Sequence, residues 1–165
     1  MAQSIFFWRE TEQPYGFLCQ WFPSPFEENG VFFATAEHYM MFQKAVLYSD
    51  ESTAARILAA KTPADAKYLA KNIDMSKDRG KRWEREKYRV VERGSYLKFS
   101  QNPALKERLL ETGKSELVEA SPKDRVWGIG FPAQVAEENR MAWGTNLLGL
   151  ALMSVRERLC EEDNK

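Results

Sequence analysis

The chain has 165 residues, of which 44% are hydrophobic and 13% aromatic, a composition typical of a globular protein with one well-buried core. Lysine and arginine balance aspartate and glutamate at 24 each, so the formal net charge is zero. Proteins that coat nucleic acid or bind anionic membranes usually carry a basic excess. We therefore expect neither strong nonspecific nucleic-acid binding nor a membrane partner.

Two cysteines, Cys19 and Cys160, lie far apart in the sequence and outside any Cys/His cluster. This spacing predicts neither a disulfide framework nor a zinc site, and two free thiols are typical of a reducing compartment. The apolar runs are too short for a secretory signal or a membrane span. We expect a cytoplasmic protein without a targeting signal.

The predicted elements begin with a short strand over residues 5–8, IFFW. Asn29-Gly30 stands between apolar runs and predicts a β-hairpin, because both residues accept a positive φ. Thr35 is then a suitable N-cap for a helix that contains the stretch TAEHYMMFQKA, 35–45.

Caps, apolar periodicity and stop residues predict five further helices, over residues 50–60, 62–72, 77–100, 102–113 and 144–159. Thr62 and Asn102 are expected to be N-caps of two of them. ELVEA, 116–120, is a candidate strand. Many helices and a few short strands near the N-terminus indicate an α+β, predominantly helical fold, with a single domain over 1–165.

The helix at 35–45 carries the first candidate site. Its core stripe is predicted to be Tyr39, Phe42 and Val46. On the opposite side, Glu37 and Lys44 fall within about 20° of each other, on a face that Met40, Met41 and Tyr48 make unusually apolar. Apolar walls shift pKa values and tune side chains for acid–base catalysis. The alternative is structural: Glu37 complements the helix dipole and Lys44 extends its amine to solvent.

His38 is the only histidine of the chain. It projects about 100° away from Glu37, and a histidine-based metal site would need further ligands of the same kind. We therefore expect a capping or packing function for His38, and no metal.

The segment WGIG, 127–130, is the second candidate site. Trp127 offers a stacking surface, and Gly128 and Gly130 allow backbone N–H groups to approach a ligand. Asp124 just before them adds a carboxylate. A tight turn with a core tryptophan is the alternative. The nearby GTN, 144–146, precedes a helix, and helix N-termini accept phosphates.

Eight basic residues between Lys77 and Arg93, interleaved with Trp83 and Tyr88, form a candidate phosphate-binding helix face. Such runs are more often a solvated face paired with acidic neighbours, and we favour that interpretation. Lys98, at the far end of the same helix, is a candidate phosphate or sugar contact.

In combination, these segments resemble the NADAR, or YbiA-like, N-glycosidases. The matching stretches follow the order of the family over nearly the whole chain and are FLCQWFPSPF, TAEHYMMFQKA, TPADAK, Trp83 with YRVV, KFSQNPALKERLLETG, LVEASPKDRVWGIG and GTNLLGLALMSVRERL. The chain departs from the family at Cys19-Gln20, where serine and asparagine are usual. Val91 stands where the family usually has methionine.

The resemblance implies cleavage of the bond between a ribose carbon and an exocyclic amine. Its first implied substrate is ADP-ribose attached to the guanine amino group, free or in nucleic acid. Phosphorylated ribosylamino-pyrimidine intermediates of riboflavin synthesis are the second. A non-catalytic reader of ADP-ribose or nucleotides is the third interpretation. No cofactor is implied.

The resemblance also implies functions for individual residues. Glu37 and Asp124 would stabilise positive charge at the anomeric carbon or activate water. Lys44 would protonate the leaving amine directly or through water. In a second route a neutral lysine, Lys44 or Lys98, would attack the ring-opened sugar to form a Schiff base. The predicted substrate contacts are Gln20, Trp21, Trp83, Lys98, Trp127, Gly128, Gly130 and Asn146.

Overall fold

The computed structural model describes residues 3–165, which contain four short strands and seven α-helices. Contacts divide them into two units, one built from the residues up to 22 together with 103–165, the other from 23–102. The excess of helix confirms the predicted α+β, predominantly helical fold. The expectation of a single domain stays a prediction. None of the helices within residues 3–165 combines the length and the hydropathy needed to cross a membrane.

In the unit formed by residues 23–102, a β-hairpin comes first. Strand β2 (Phe26–Glu28) pairs antiparallel with β3 (Val31–Phe33). The two turn residues Asn29 and Gly30 have φ values of 52° and 80°, which confirms the hairpin predicted from their sequence.

Four helices follow in this unit: α1 (Ala36–Leu47), α2 (Glu51–Ala59), α3 (Pro63–Leu69) and α4 (Lys81–Gln101). Thr35 and Thr62 are the predicted caps of α1 and α3, and both are confirmed, because their hydroxyls accept backbone N–H groups of the first turn.

The long helix α4 begins four residues later than predicted. Residues Ser76–Asp78 form a separate 3-10 turn, and Arg79 and Gly80 then take positive φ values of 54° and 76°. Two residues in the left-handed region interrupt the helical path, so the regular helix starts only at Lys81.

The core of this unit contains Phe26, Phe33, Ala36, Tyr39 and Leu97. The Phe33 ring lies 5.0 Å from the Tyr39 ring and 5.3 Å from the Phe42 ring, measured between centroids. Val46 was predicted in the same stripe, but it is 50% exposed. Phe33 of the hairpin packs on Tyr39 and Phe42, and Val46 lies one turn beyond Phe42.

In the other unit, β1 (Ser4–Phe7) pairs parallel with β4 (Glu116–Glu119), with Ser4 opposite Glu116. Both strands were predicted. The helices of this unit are α5 (Pro103–Glu111), α6 (Ala133–Ala136) and α7 (Leu147–Asp163). The short α6 was not predicted. Val118, Ala120, Ile129 and Ala136 form a buried cluster.

Asn102 differs from its predicted function as the N-cap of α5. Its side-chain amide donates to the carbonyl oxygen of Lys98 at 2.7 Å and to that of Pro25 at 3.1 Å. Both bonds use the donor end of the amide. Asn102 therefore closes the end of α4 and joins it to Pro25 instead of capping α5.

Candidate functional site

The second face of α1, predicted from its helical projection, is buried. Glu37 in the first turn is 7% exposed, and Met40 and Met41 are also buried. Lys44 and Tyr48, at the other end of the helix, are half-buried. A carboxylate and an amine therefore share a helix face that is largely removed from water.

The amine of Lys44 lies against an aromatic ring. Its Nζ is 5.4 Å from the centroid of the Trp83 indole, a cation–π distance. Among residues 3–165, Lys44 has no hydrogen bond or ion pair. Burial lowers the pKa of Lys44, while the negative charges of Glu37 and Glu84 act against that shift. The site therefore favours the neutral amine more than water does.

A hydrogen-bond network holds Trp83 in this position. The Tyr48 hydroxyl donates to the Asp78 carboxylate at 3.1 Å and accepts the backbone N–H of Trp83 at 3.3 Å. Arg82 donates through Nε to Asp78 at 2.8 Å, and this bond lowers the pKa of Asp78 to about 2. The start of α4 is thereby tied to the end of α1, where Lys44 lies.

Lys98 lies at the opposite end of α4 from Trp83. Two contacts give the relative direction of α1 and α4. Tyr39 of α1 lies against Gly94 of α4, where an added Cβ would come within 2.6 Å of the Tyr39 ring. Lys44, further along α1, lies against Trp83, which is earlier in α4. Helices α1 and α4 are therefore antiparallel. Fifteen residues of helix place Lys98 about 22 Å along the axis from Trp83, towards the start of α1. Its side chain is 1% exposed.

His38 has a structural function, as predicted. Its Nε2 is 2.9 Å from the carbonyl oxygen of Ala60, which can only accept, so Nε2 carries the proton. Its Nδ1 then accepts the hydroxyl hydrogen of Thr35 at 2.8 Å. Both ring nitrogens are occupied. Within residues 3–165, no three His, Cys, Asp or Glu side chains form a group that could hold a metal ion.

Four of the eight basic residues in the predicted run form ion pairs. The pairs are Arg82–Asp78, Lys87–Glu84, Arg89–Glu86 and Arg93–Glu28. Each pairs a basic residue of the run with a carboxylate of the same unit. This pattern supports the solvated-face interpretation over a phosphate-binding one.

In the other unit, Asp124 holds the start of the WGIG segment. Its Oδ1 accepts the backbone N–H groups of Val126 at 2.9 Å and Trp127 at 2.8 Å. The second oxygen, Oδ2, accepts no hydrogen bond from the described residues. The half-buried carboxylate is thus fixed through one oxygen, and its other oxygen remains available to a further donor.

The two glycines of WGIG are required by packing and turn geometry. A Cβ on Gly128 would lie 2.6 Å from the carbonyl oxygen of Glu119, which also accepts the N–H of Ile129. Gly130 has a φ of 78°. Ile129 is fully buried. The tight-turn alternative therefore describes this backbone, and ligand contacts of Trp127, Gly128 and Gly130 stay predictions.

The N-terminus of α7 is not an open phosphate site. The backbone N–H groups of residues 145–148 donate to carbonyl oxygens of residues 125–128 at 2.9–3.2 Å. The Asn146 side chain accepts the N–H of Glu119 at 3.0 Å and donates to the carbonyl of Leu117 at 2.9 Å. The prediction that these N–H groups contact a phosphate is wrong, because they already donate hydrogen bonds to protein carbonyl oxygens. A substrate contact of Asn146 itself stays a prediction.

Gln20 and Trp21 follow the 3-10 turn Gly16–Leu18, and both are half-buried. The Trp21 N–H lies 3.5 Å from the Sγ of Cys19. Of the predicted site residues, Glu37, Lys44, Trp83 and Lys98 belong to the unit of residues 23–102. The unit of both chain ends holds Gln20, Trp21, Asp124, Trp127, Gly128, Gly130 and Asn146.

Sequence reasoning missed Glu84, whose charge acts on the pKa of Lys44. The sequence feature that could have indicated Glu84 is its position directly after Trp83. It also missed the bond from Tyr48 to Asp78, because the two residues are 30 positions apart. Only the folded chain brings that hydroxyl and carboxylate together.

Comparison with known proteins gives one family. The NADAR domain model matches residues 6–160. An N-glycosidase of Acanthamoeba polyphaga mimivirus is 44% identical over 146 residues, 84% of each chain. N-glycosidase YbiA of Escherichia coli is 31% identical over 162 residues, 98% of this chain and 92% of the relative. The NMR structure of E. coli YbiA matches with a TM-score of 0.80 at 29% identity, covering 100% of this chain and 90% of that one. The chain therefore belongs to the NADAR domain family, a family of hydrolases that act on N-glycosyl bonds.

Proposed function

We propose that this hydrolase removes ADP-ribose from the exocyclic amino group of guanine. The observation that carries the proposal is the half-buried Lys44, which lies against Trp83 with a lowered pKa on the same helix face as the buried Glu37. A carboxylate and an amine with a lowered pKa on one desolvated face suit cleavage of a ribose–amine bond.

In direct hydrolysis, the bond between the anomeric carbon and the guanine amine breaks, and the leaving nitrogen takes a proton. Water adds its oxygen to the anomeric carbon, giving ADP-ribose and unmodified guanine. Positive charge on the sugar grows in the transition state, and Glu37 is proposed to stabilise it or to take the proton of the water. Asp124 is the second proposed carboxylate, and protonated Lys44 is proposed to supply the proton of the leaving amine.

A second route uses Lys44 in its neutral form. A ribosylamine opens to an imine, the lysine amine adds to the anomeric carbon, and the guanine amine leaves. Water then hydrolyses the lysine imine, which releases the sugar and restores the amine. The lowered pKa of Lys44 supports this route, because only the neutral amine is a nucleophile.

A phosphorylated ribosylamino-pyrimidine, the second substrate group that the resemblance implies, is the alternative. Gln20 occupies the position where the family usually has asparagine, and its longer side chain alters the reach of the amide. A changed reach at this position would alter the choice of substrate without indicating which of the two groups is bound. Both substrates contain a ribose–amine bond, so the same catalytic residues would be used.

The test is incubation with an oligonucleotide that carries ADP-ribosylated guanine, with released ADP-ribose measured by mass spectrometry. We expect release by the wild-type protein, and a loss of about 10²–10⁴-fold in kcat for Glu37→Gln and for Lys44→Ala. Circular dichroism and thermal unfolding verify that both variants are folded. Glu86→Gln is the matched control, because among residues 3–165 Glu86 forms an ion pair only with Arg89, on the surface of α4.

Three outcomes would contradict the proposal. Release at the wild-type rate by both folded variants removes Glu37 and Lys44 from the mechanism. Tight binding of the oligonucleotide without release identifies a reader. Release of the base from a ribosylamino-pyrimidine, with no action on the oligonucleotide, assigns the pyrimidine substrate instead. Borohydride trapping of a covalent adduct on Lys44 separates the imine route from direct hydrolysis.

A further inference from the structure

The unit of both chain ends contains a cleft that the proposed hydrolysis does not use. Its volume is about 600 Å³, within the range of small-molecule sites. Its lining includes Ser4, Phe6, Tyr15, Phe17, Arg108 and Ser115. None of the residues proposed for N-glycosyl hydrolysis belongs to this lining.

Two contacts fix the guanidinium of Arg108 in the wall of the cleft, a stacking contact and a hydrogen bond. The guanidinium carbon lies 4.1 Å from the centroid of the Phe17 ring, and Nη2 donates to the carbonyl of Pro14. No carboxylate of the described chain forms an ion pair with Arg108. A guanidinium has five N–H donors in a planar fork that matches an oxyanion, so most of its donors remain for a ligand.

A second guanidinium, that of Arg156, contacts the cleft through one of its lining residues. Arg156 of α7 is half-buried, and its Nη1 donates at 2.7 Å to the hydroxyl of Thr112, which lines the cleft. It forms no ion pair within residues 3–165, and burial lowers the pKa of Arg156. Charged groups removed from water are normally paired. Among the described residues, the guanidinium of Arg156 has only the neutral hydroxyl of Thr112 as a hydrogen-bond partner.

The cleft also contains a carboxylate, that of Glu111. Its side chain is exposed, and it forms no ion pair with Arg108 in the part of the chain that the structure describes. Solvent screens an exposed carboxylate far more than it screens a half-buried guanidinium. The lining therefore holds one half-buried guanidinium, Arg108, and one exposed carboxylate, Glu111. Glu116, which accepts the hydroxyl of Ser4, is paired with Arg140.

Neutral donors line the rest of the cleft. The N–H of Glu116 donates to Gln3, and that of Ala120 donates to Phe7, so the backbone groups of Ser4 and Phe6 face away from β4. The hydroxyls of Tyr15 and Ser115, which also line the cleft, have no hydrogen-bond partner among residues 3–165.

We propose that this cleft binds a small ligand bearing an oxyanion, a phosphate ester or a carboxylate. Arg108 contacts the anion directly. Arg156 adds its charge through Thr112, and the Tyr15 and Ser115 hydroxyls donate to the same oxyanion. The apolar walls at Phe6 and Phe17 cover the carbon skeleton of the ligand.

The experiment titrates the full chain with sodium phosphate and, separately, with sodium acetate, while sodium chloride keeps the ionic strength constant. Amide NMR shifts of Ser4 and Phe6 and the thermal unfolding temperature are the two readouts. We expect saturable shifts with at least one of the two anions and a concentration-dependent rise in unfolding temperature. The anion that binds more tightly distinguishes a phosphate ester from a carboxylate ligand.

Two variants and a control make the test specific. Arg108→Gln removes a charge-assisted contact and is expected to raise the Kd about tenfold or more. Ser115→Asp places a negative charge in the cleft and is expected to abolish binding. It removes no side-chain hydrogen bond within residues 3–165, so it tests the proposal even if Arg108→Gln fails to fold. Lys114→Gln removes an equal charge from an exposed neighbour outside the lining and leaves binding unchanged.

The proposal would be overturned if the amide NMR shifts with phosphate and acetate matched those with sodium chloride alone. It would also be overturned if Ser115→Asp left those shifts unchanged. An equal weakening by Lys114→Gln and Arg108→Gln would also overturn it, because general charge attraction would then explain the binding. Ser115→Asp keeps its N-glycosidase activity in either case. A result that overturns anion binding in this cleft is therefore distinguishable from one that overturns the proposed N-glycosidase function.

Discussion

In the unit of residues 23–102, charged side chains are removed from water: Glu37 is 7% exposed, Lys98 is 1% exposed, and Lys44 lies half-buried beside an indole. In the other unit, the polar groups around residues 124–130 mostly satisfy the backbone. Asp124 holds two loop N–H groups, and Asn146 joins α7 to β4.

This difference separates desolvated side chains, whose chemistry burial tunes, from side chains such as Asn146 that fix geometry. Asp124 fixes its loop through Oδ1 and keeps Oδ2 for the proposed reaction. Desolvation shifts the pKa of an ionisable side chain and raises its reactivity, but it destabilises the fold. A neutral amide with both ends hydrogen-bonded has no such reactivity and stabilises the fold. We therefore expect substitutions in the first group to change rates and pH profiles, and substitutions such as Asn146→Ala to change stability.

The largest effect on stability is expected for Asn146→Ala. The substitution leaves the carbonyl of Leu117 and the N–H of Glu119 without their side-chain partner. Two unsatisfied buried groups lower the free energy of unfolding by roughly 2–5 kcal/mol, measured by urea denaturation. Asn139→Ala, which removes one exposed bond to Val135, is the control with a small effect.

The same variant tests the sequence-based prediction of Asn146 as a substrate contact. If the KM of Asn146→Ala rises strongly while its free energy of unfolding stays at the wild-type value, Asn146 contacts substrate and does not serve stability. Activity must be normalised to the folded fraction at the assay temperature.

An intermediate effect is expected for Tyr48→Phe. Loss of the hydroxyl removes the acceptor of the Trp83 N–H and the donor to Asp78, so the indole is held less firmly against Lys44. We expect kcat to fall about tenfold and the pH–rate profile to move, because the environment of the amine changes. Tyr68→Phe, at a tyrosine that is 67% exposed, is the matched control.

A fall in stability with an unchanged pH–rate profile would give Tyr48 a purely structural function. The profile is the deciding measurement, because it reports the surroundings of the Lys44 amine and not the overall stability of the fold.

The smallest effect is expected for Glu84→Gln. The negative charge of Glu84 raises the pKa of Lys44, so its removal lowers that pKa further and moves the corresponding limb of the pH–rate profile to lower pH. A limb that rises with pH indicates nucleophilic neutral lysine, and a limb that falls indicates lysine as the acid. The lost surface pair with Lys87 costs less than about 1 kcal/mol.

Glu86→Gln is the matched control, because Glu86 also pairs three residues along α4, with Arg89. An equal displacement of the profile by both variants would show that overall charge, and not the place of Glu84 beside Trp83, sets the shift. The two profiles are measured at the same ionic strength.

Local signals predicted most of the elements but not all their ends. Asn29-Gly30, Thr35 and Thr62 each act through neighbours within a few residues, and all three were confirmed. Val46 was misplaced because helical periodicity gives the direction of a side chain but not how far the covering hairpin extends. Asn102 was misassigned because an amide can cap either of two adjoining helices, and its partner at Pro25 is distant in sequence.

The amino-acid sequence by itself determined the helical class, the hairpin, two helix caps and the family. It also placed Glu37 and Lys44 on one face of α1, since that relation depends only on helical geometry. Tertiary structure alone decided that this face is buried, that Trp83 and Glu84 act on Lys44, and that Asn146 bonds to β4. Burial, charge proximity and hydrogen-bond saturation depend on residues distant in the chain, and no local pattern contains them.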